Sequence, residues 1–291
     1  CGIESDAKAL FVRLAHDIGH IVDLILQNQY VARLKMGEYL VDIMNEVGYD
    51  YCVFGNHEFD YGLDRLAELV KKAKAQYLSS TVTYTGNATN LLADAKPYVI
   101  VEYGYMKVAY IGVSTPESLT KSTPKYFMEN NEFVYHFASG TELYDTVQGY
   151  VDEVRQKGAD IVIVISHLGI EEGSEPNRAY DLIANTDGID AVIDGHSHST
   201  VPCELVDNKI GGKVVYTQTG TKLEHIGKLT ITPTGAITAE LVETTEKDPQ
   251  TEAYIESIKS EYEAAVNAVV AHTDVELSVT DENGVRMVRN R

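Results

Sequence analysis

The sequence predicts an α/β fold whose strands are buried on both faces. Short, continuous apolar runs alternate with amphipathic helical segments through most of the chain. Three of those runs break off at Asn or His, so the strands end in polar chemistry. The chain has 291 residues, enough to bury a sizeable core.

Taken in order, Asp6–Ile18 places Leu10, Leu14 and Ile18 at four-residue spacing, which predicts a helix capped by Ser5 or Asp6. HIVDLIL, residues 20–26, predicts a buried strand. Gly37–Val47 carries Leu40, Ile43, Met44 and Val47 on one side and predicts a second helix that stops at Gly48. YDYCVF, residues 49–54, reads as the next strand and Leu63–Ala75 as the next helix. A polar loop follows over Thr83–Asn90. Residues 98–113, YVIVEYGYMKVAYIGV, read as two strands about a Gly104-Tyr105 turn. Leu143–Lys157 predicts an amphipathic helix feeding the strand ADIVIVISH, residues 159–167. A short helix near Tyr180–Ala184 and the strand IDAVIDGHSH, residues 189–198, come next. From Lys213 the segments KVVYTQTG, HIGKLTITP and AITAELVET predict an antiparallel meander. Residues 248–272 predict a charged helix with a thin apolar stripe, equally readable as a surface helix and as a connector.

Composition excludes several function classes. The formal charge of −20 argues against a nucleic-acid polymer as partner, because phosphate-backbone binding needs a basic face. A small anionic substrate is still compatible, since a bound cation inverts the local field. No apolar run approaches the roughly 20 residues that a membrane span requires. Cys1, Cys52 and Cys203 form no disulfide framework.

The candidate chemistry lies at three strand ends. YDYCVF ends at Gly55-Asn56-His57, ADIVIVIS at His167, and IDAVIDG at His196-Ser197-His198. In a doubly wound sheet, ligands bind beyond the carboxyl ends of strands, so the three ends can converge on one crevice. Imidazole nitrogens with an amide oxygen suit a borderline divalent metal such as Zn, Mn or Fe, better than Ca or Mg. In an extended segment His196 and His198 share a face. Each signal alone fits a hydrogen-bonded structural histidine, and Glu58, Asp60 and Asp194 fit solvated or loop-capping carboxylates. The conjunction carries the metal reading. His16, His20, His136, His225 and His272 match no ligand position.

GNHEFDYG, SHLG and DGHSH, in that order, resemble the calcineurin-like metallophosphoesterases of the 5′-nucleotidase family. KMGEYLVDIMNEVGYD, VSTPES and QTGTKLEHIGKL fit the same branch. The resemblance implies a four-layer α/β/β/α sandwich followed by a linker helix, and a metal-dependent hydrolase of nucleotide phosphate esters. It implies Asn56, His167 and His196 as ligands of one metal and His198 of another. It also implies His57, oriented by Asp60, as the group that steadies charge on the substrate phosphate. The family further has Asp-x-His on its first strand and Gly-Asp on its second. Cys1 onward resembles the segment just after the first of these, and Asp23-Leu24 falls where the second is expected, with Leu24 at the metal-bridging position. The expected organisation is a metallophosphoesterase domain over residues 1–247, a linker helix over 248–272 and the start of a C-terminal nucleotide-recognition domain over 273–291. The alternative is a catalytically degenerate domain acting as a binding or scaffold module. The resemblance implies an extracellular, periplasmic or cell-surface setting.

Overall fold

The computed structural model describes residues 14–15, 35–104, 106–243, 246–266 and 272. The helix expected over Asp6–Ile18 meets them only at Leu14 and Ala15, where it is corrected. That pair forms strand β1 (Leu14–Ala15), parallel to Tyr51 and Cys52. Phe11, Val12, Leu14 and Ala15 make a nearly continuous apolar run, which a strand uses as readily as a helix. His16, His20, Asp23, Leu24, the strand expected over 20–26 and the tail 273–291 lie outside the described residues.

The first sheet is parallel, in the order β1, β2 (Tyr51–Val53), β3 (Gln76–Leu78). Helices α1 (Glu38–Val47) and α2 (Leu63–Lys72) cover one face. Leu40, Val41 and Met44 of α1 and Leu63, Leu66 and Leu69 of α2 pack there with Cys52, Phe54 and Tyr77. The polar loop expected over Thr83–Asn90 begins as strand β4 (Val82–Tyr84).

The second sheet has six strands. β5 (Tyr98–Tyr103) and β6 (Met106–Ser114) pair as the expected antiparallel hairpin, with Tyr103 opposite Met106. Two ribbons follow: β7 (Met128–Glu129) with β8 (Glu132–Phe133), and β4 with β9 (Tyr135–Phe137). Then come β10 (Ile161–His167), β11 (Ala191–Asp194), β12 (Thr200–Asp207) and β13 (Lys213–Thr219), giving the order β12-β13-β11-β10-β6-β5. Helices α3 (Thr141–Gln156) and α4 (Ala179–Asn185) cover its outer face through Leu143, Val147, Val151, Leu182 and Ile183. Its inner face meets the first sheet through Val53, Leu78, Tyr110, Ile163 and Ile165. The layers are therefore helix, sheet, sheet, helix, as the motifs imply.

The meander expected from Lys213 onward is corrected. Only β14 (Ile226–Ile231) and β15 (Ile237–Val242) pair as a separate antiparallel hairpin. β13 instead joins the main sheet beside β11, with Val214 to Gln218 all buried. Strand burial on both faces erases alternation, so the run carries no sign of its partner. α5 (Pro249–Val266) seats Tyr254, Ile255 and Ile258 on Tyr39, Ile43 and Val47 of α1.

The sheets are tied together at their carboxyl edges. The N–H and hydroxyl of Ser80, just past β3, both donate to the carbonyl of Gly112 in β6, at 2.8 and 2.7 Å. A Cβ at Gly112 would lie 2.5 Å from Leu78 backbone atoms, so only glycine permits this approach.

Candidate functional site

Register brings the strand ends together. β10 runs parallel to β6 with His167 opposite Ser114, and parallel to β11 with Ile165 opposite Ile193. His167, His196 and the turn Thr115–Glu117 therefore stand at one sheet edge, and the chain leaving β2 brings Gly55-Asn56 across from them. A Cβ on Gly55 would sit 2.7 Å from Cε1 of His167, so a glycine is needed where this backbone abuts the ring. Ser122, in the loop after β6, donates to the Asn56 carbonyl at 2.7 Å and holds that end in place.

Three donors meet there. His167 Nε2 lies 3.1 Å from Asn56 Oδ1 and 3.2 Å from His196 Nδ1. All three side chains are withdrawn from solvent: His167 wholly, Asn56 nearly so, and His196 to 7% side-chain exposure. His57 stands on the outer side of a single helical turn, His57–Phe59. Phe59 anchors that turn by inserting edge-on against Phe127 and Phe137. His57 Nδ1 lies 3.0 Å from Asp60 Oδ2, and both groups are about half exposed. Glu58, open to a solvated reading in the sequence, is buried and accepts the Gly55 N–H at 2.5 Å.

His196 and His198 correct a local expectation. The segment after β11 is not extended; both residues take left-handed backbone, with φ of 75° and 57°. Such conformations in non-glycine residues cost about 1–3 kcal/mol and persist only where surroundings enforce them. His196 turns inward to His167, whereas His198 is exposed, so the two do not share a face as a strand would require.

Asp194 holds this turn. Its carboxylate is 1% exposed and accepts Ser166 Oγ at 2.7 Å, Leu168 N–H at 2.9 Å, Gly169 N–H at 3.0 Å and Tyr216 Oη at 3.0 Å. Burial pushes its carboxyl above the ordinary range, and those hydrogen bonds oppose the shift. The sequence reading of a loop cap understated it, because it braces the backbone on both sides of the His167–His196 pair.

Glu117 lies in VSTPES, and nothing in the sequence alone marks it as part of this site. Its Oε2 lies 2.9 Å from His196 Nε2 and 2.6 Å from Lys121 Nζ. Burial alone would raise its carboxyl, but hydrogen bonds from Lys121, Ser174 and His196 prevail and hold it at about 2. Glu117 follows a fourth apolar strand, which the fold brings to the same edge.

Among the described residues, no three His, Cys, Asp or Glu side chains form a metal-holding group. Here the third donor is an amide. Two imidazole nitrogens and an amide oxygen, one imidazole backed by a carboxylate, nonetheless fit a borderline divalent ion in donor type and support. His136 pairs with Glu142 and His225 with Glu243.

The four layers and this polar edge define a metallophosphoesterase-type domain. The family described as bacterial capsule synthesis protein PGA_cap matches residues 23–221, and the chain belongs to it; the family is metallophosphoesterase-like and is linked through its homologues to the calcineurin-like 5′-nucleotidases. The chain is 34% identical over 178 residues to a 2′,3′-cyclic-nucleotide 2′-phosphodiesterase/3′-nucleotidase of Haemophilus influenzae, covering 56% of this chain and 25% of that protein. It is 30% identical over 186 residues to a snake venom 5′-nucleotidase of Gloydius brevicauda, covering 62% of this chain and 29% of that one. It thus spans under a third of either relative. The crystal structure of the calcineurin-like phosphoesterase YfkN from Bacillus subtilis superposes with a TM-score of 0.65 at 22% identity, over 88% of this chain and 85% of that one. Divalent-metal use is a property of this superfamily. Among the described residues no helix is long and apolar enough to cross a membrane.

Proposed function

We propose that this chain carries the catalytic domain of a metal-dependent phosphoester hydrolase of the 5′-nucleotidase type, acting on nucleotides or other small phosphoesters. The observation that carries the reading is the meeting of Asn56 Oδ1, His167 Nε2 and His196 Nδ1 at one sheet edge, with the His57–Asp60 pair beside them. Asn56, His167 and His196 would hold a divalent ion, with Mn, Zn or Fe favoured by the donors, and exposed His198 would serve a neighbouring position. When bound, such an ion supplies Lewis-acid stabilisation of phosphoryl charge and activation of water.

The chain's own residues do the rest. Asp60 fixes the orientation of the His57 ring. His57, half exposed at the mouth of the site, donates a hydrogen bond to the phosphoryl oxygens as negative charge grows on them. Buried His167 and Asn56 keep water from the floor of the site. Residues 1–247 form the hydrolase domain in this proposal, and 248–272 link it to a nucleotide-recognition domain beginning at 273. The apolar stripe of α5 seats it on α1, and the link beyond it follows from the family resemblance. An extracellular, periplasmic or cell-surface setting is proposed in keeping with the venom relative.

The test compares the unmodified chain with His57→Ala and His196→Ala at saturating Mn2+, measuring nucleotide hydrolysis and bound metal on the same samples. His57→Ala is expected to lose about 10²–10³ in kcat with metal content unchanged. His196→Ala is expected to lose metal and turnover together. Turnover that survives His57→Ala would contradict the role given to His57. No hydrolysis by the unmodified chain would favour a scaffold module.

A further inference from the structure

We propose that Glu117 is the positioning residue of this centre: its carboxylate accepts the Nε2–H of His196, fixes the tautomer with Nδ1 bare, and so leaves that nitrogen free where it faces His167, which in turn meets Asn56. The inference rests on His196 being a metal ligand, as argued above. A neutral imidazole carries one ring proton, and the atom that receives it decides which nitrogen is left to coordinate.

Two proton arrangements compete around His196. In one, Nε2–H donates to Glu117 Oε2 at 2.9 Å, and bare Nδ1, 3.2 Å from His167 Nε2, shares that nitrogen's proton with Asn56 Oδ1 at 3.1 Å. In the other, the Lys121 ammonium donates to bare Nε2 across 3.3 Å, and Nδ1–H donates to His167. The second arrangement places a proton on the nitrogen that faces the other donors, which abolishes it as a ligand.

Three observations favour the first. The carboxylate contact is the shorter, and a hydrogen bond to an ionised acceptor is the stronger kind. Lys121 is engaged by the carboxylate itself at 2.6 Å, one helical turn along at i+4. Glu117 and His196 are 18% and 7% exposed at the side chain, while Lys121 is 48% exposed and solvated. The carboxylate is thus the fixed partner and the ammonium the loose one. A carboxylate behind a ligating imidazole is the arrangement that orients metal-site histidines and raises their basicity. Glu117 itself is placed by backbone: its N–H donates to Thr115 Oγ1 at 3.2 Å, and its carbonyl accepts Lys121 N–H at 2.7 Å.

The test reads tautomer and metal separately, on the full chain. Long-range 15N–1H spectra of the metal-free protein with labelled histidine, near pH 8, report which ring nitrogen of His196 carries the proton; His196→Ala assigns the signals. The unmodified chain is expected to show Nε2–H. Glu117→Ala is expected to shift His196 toward Nδ1–H and to weaken Mn2+ binding by about 10–100-fold. Glu117→Gln keeps an acceptor oxygen, so it is expected to keep the tautomer and lose less affinity. A Glu117→Ala protein that retains Nε2–H, or that binds Mn2+ as tightly as the unmodified chain, overturns the proposal. Should Glu117→Ala fail to fold, a Glu117→Gln protein with the Nδ1–H tautomer overturns it as well. An unmodified chain that takes up no Mn2+ refutes the metal centre instead, and the tautomer comparison then decides the Glu117 assignment alone.

Discussion

Replacing Asp194 separates two opposing terms at the base of the site. Its carboxylate is buried, which penalises the charge, yet four groups donate to it within 3.0 Å. Asp194→Ala leaves the Leu168 and Gly169 N–H groups without an acceptor in a dry interior. Each orphaned buried donor costs about 1–3 kcal/mol, whereas the Ser166 and Tyr216 hydroxyls can rotate to other partners. The loss is therefore roughly 2–6 kcal/mol, a large share of the 5–15 kcal/mol that typically stabilises a domain. Asp194→Asn keeps the oxygen serving Ser166 and Leu168 but turns an amide NH2 toward the Gly169 N–H. One orphaned donor puts its cost at roughly 1–3 kcal/mol. Urea unfolding at neutral pH, with m-values checked for constancy, reads both. The predicted order of stability is Asp, then Asn, then Ala. The raised carboxyl shows desolvation opposing these bonds, and the order holds only because the neutral amide that escapes this penalty also orphans the Gly169 N–H. An Asp194→Asn protein more stable than the unmodified chain would show relief of desolvation to be the larger effect. That result, or an Ala variant within about 1 kcal/mol of the unmodified chain, would refute the reasoning.

Two other perturbations follow from the same geometry. Gly55→Ala puts a methyl 2.7 Å from the His167 ring, so it should weaken Mn2+ binding at a stability cost of about 1–3 kcal/mol, measured by metal titration beside urea unfolding. Equal losses of Mn2+ affinity from Gly55→Ala and from Ala substitutions remote from His167 would count against it. The Glu117 carboxyl, held at about 2 in the fold, lies below its ordinary value of 4.5, so it contributes stability at neutral pH that is lost as pH falls through the lower value. The gap in melting temperature between the unmodified chain and Glu117→Gln should be full above about pH 5 and should close toward about pH 2. A gap that widens on acidification would contradict the sign.

Much of this fold was legible because its strands declare themselves. A run such as IVIVISH is buried at every position, and only a strand covered on both faces makes that combination of length and branching ordinary. The layers could be inferred because helices with one apolar stripe alternate with such runs. What failed to show has physical reasons. β12, TVPCELVD, is an exposed edge strand whose side chains follow no apolar alternation, and it carries Pro202 and acidic residues as edges often do. β1 was hidden because apolar spacing in a short run serves both periods.

The site was legible in part. Asn56, His57, His167 and His196 each close an apolar run, and parallel register then gathers them at one edge. The bend at His196–His198 was not legible, since left-handed backbone at two histidines is imposed by tertiary contacts rather than preferred locally. Glu117 stands 79 residues from the histidine it supports, so only the pairing of β10 with both β6 and β11 reveals the connection.

On the proposed reading, Asn56, His167 and His196 form one metal-binding centre. Anomalous diffraction from crystals soaked in Mn2+ or Zn2+, recorded on both sides of the metal edge, tests it most directly. The expected result is a peak within about 2.0–2.2 Å of His167 Nε2 and His196 Nδ1, with Asn56 Oδ1 completing that side of the ion. Crystals of His167→Ala should lose the peak. A fully occupied ion bound elsewhere, with these three side chains still in mutual contact, would rule out this metal centre.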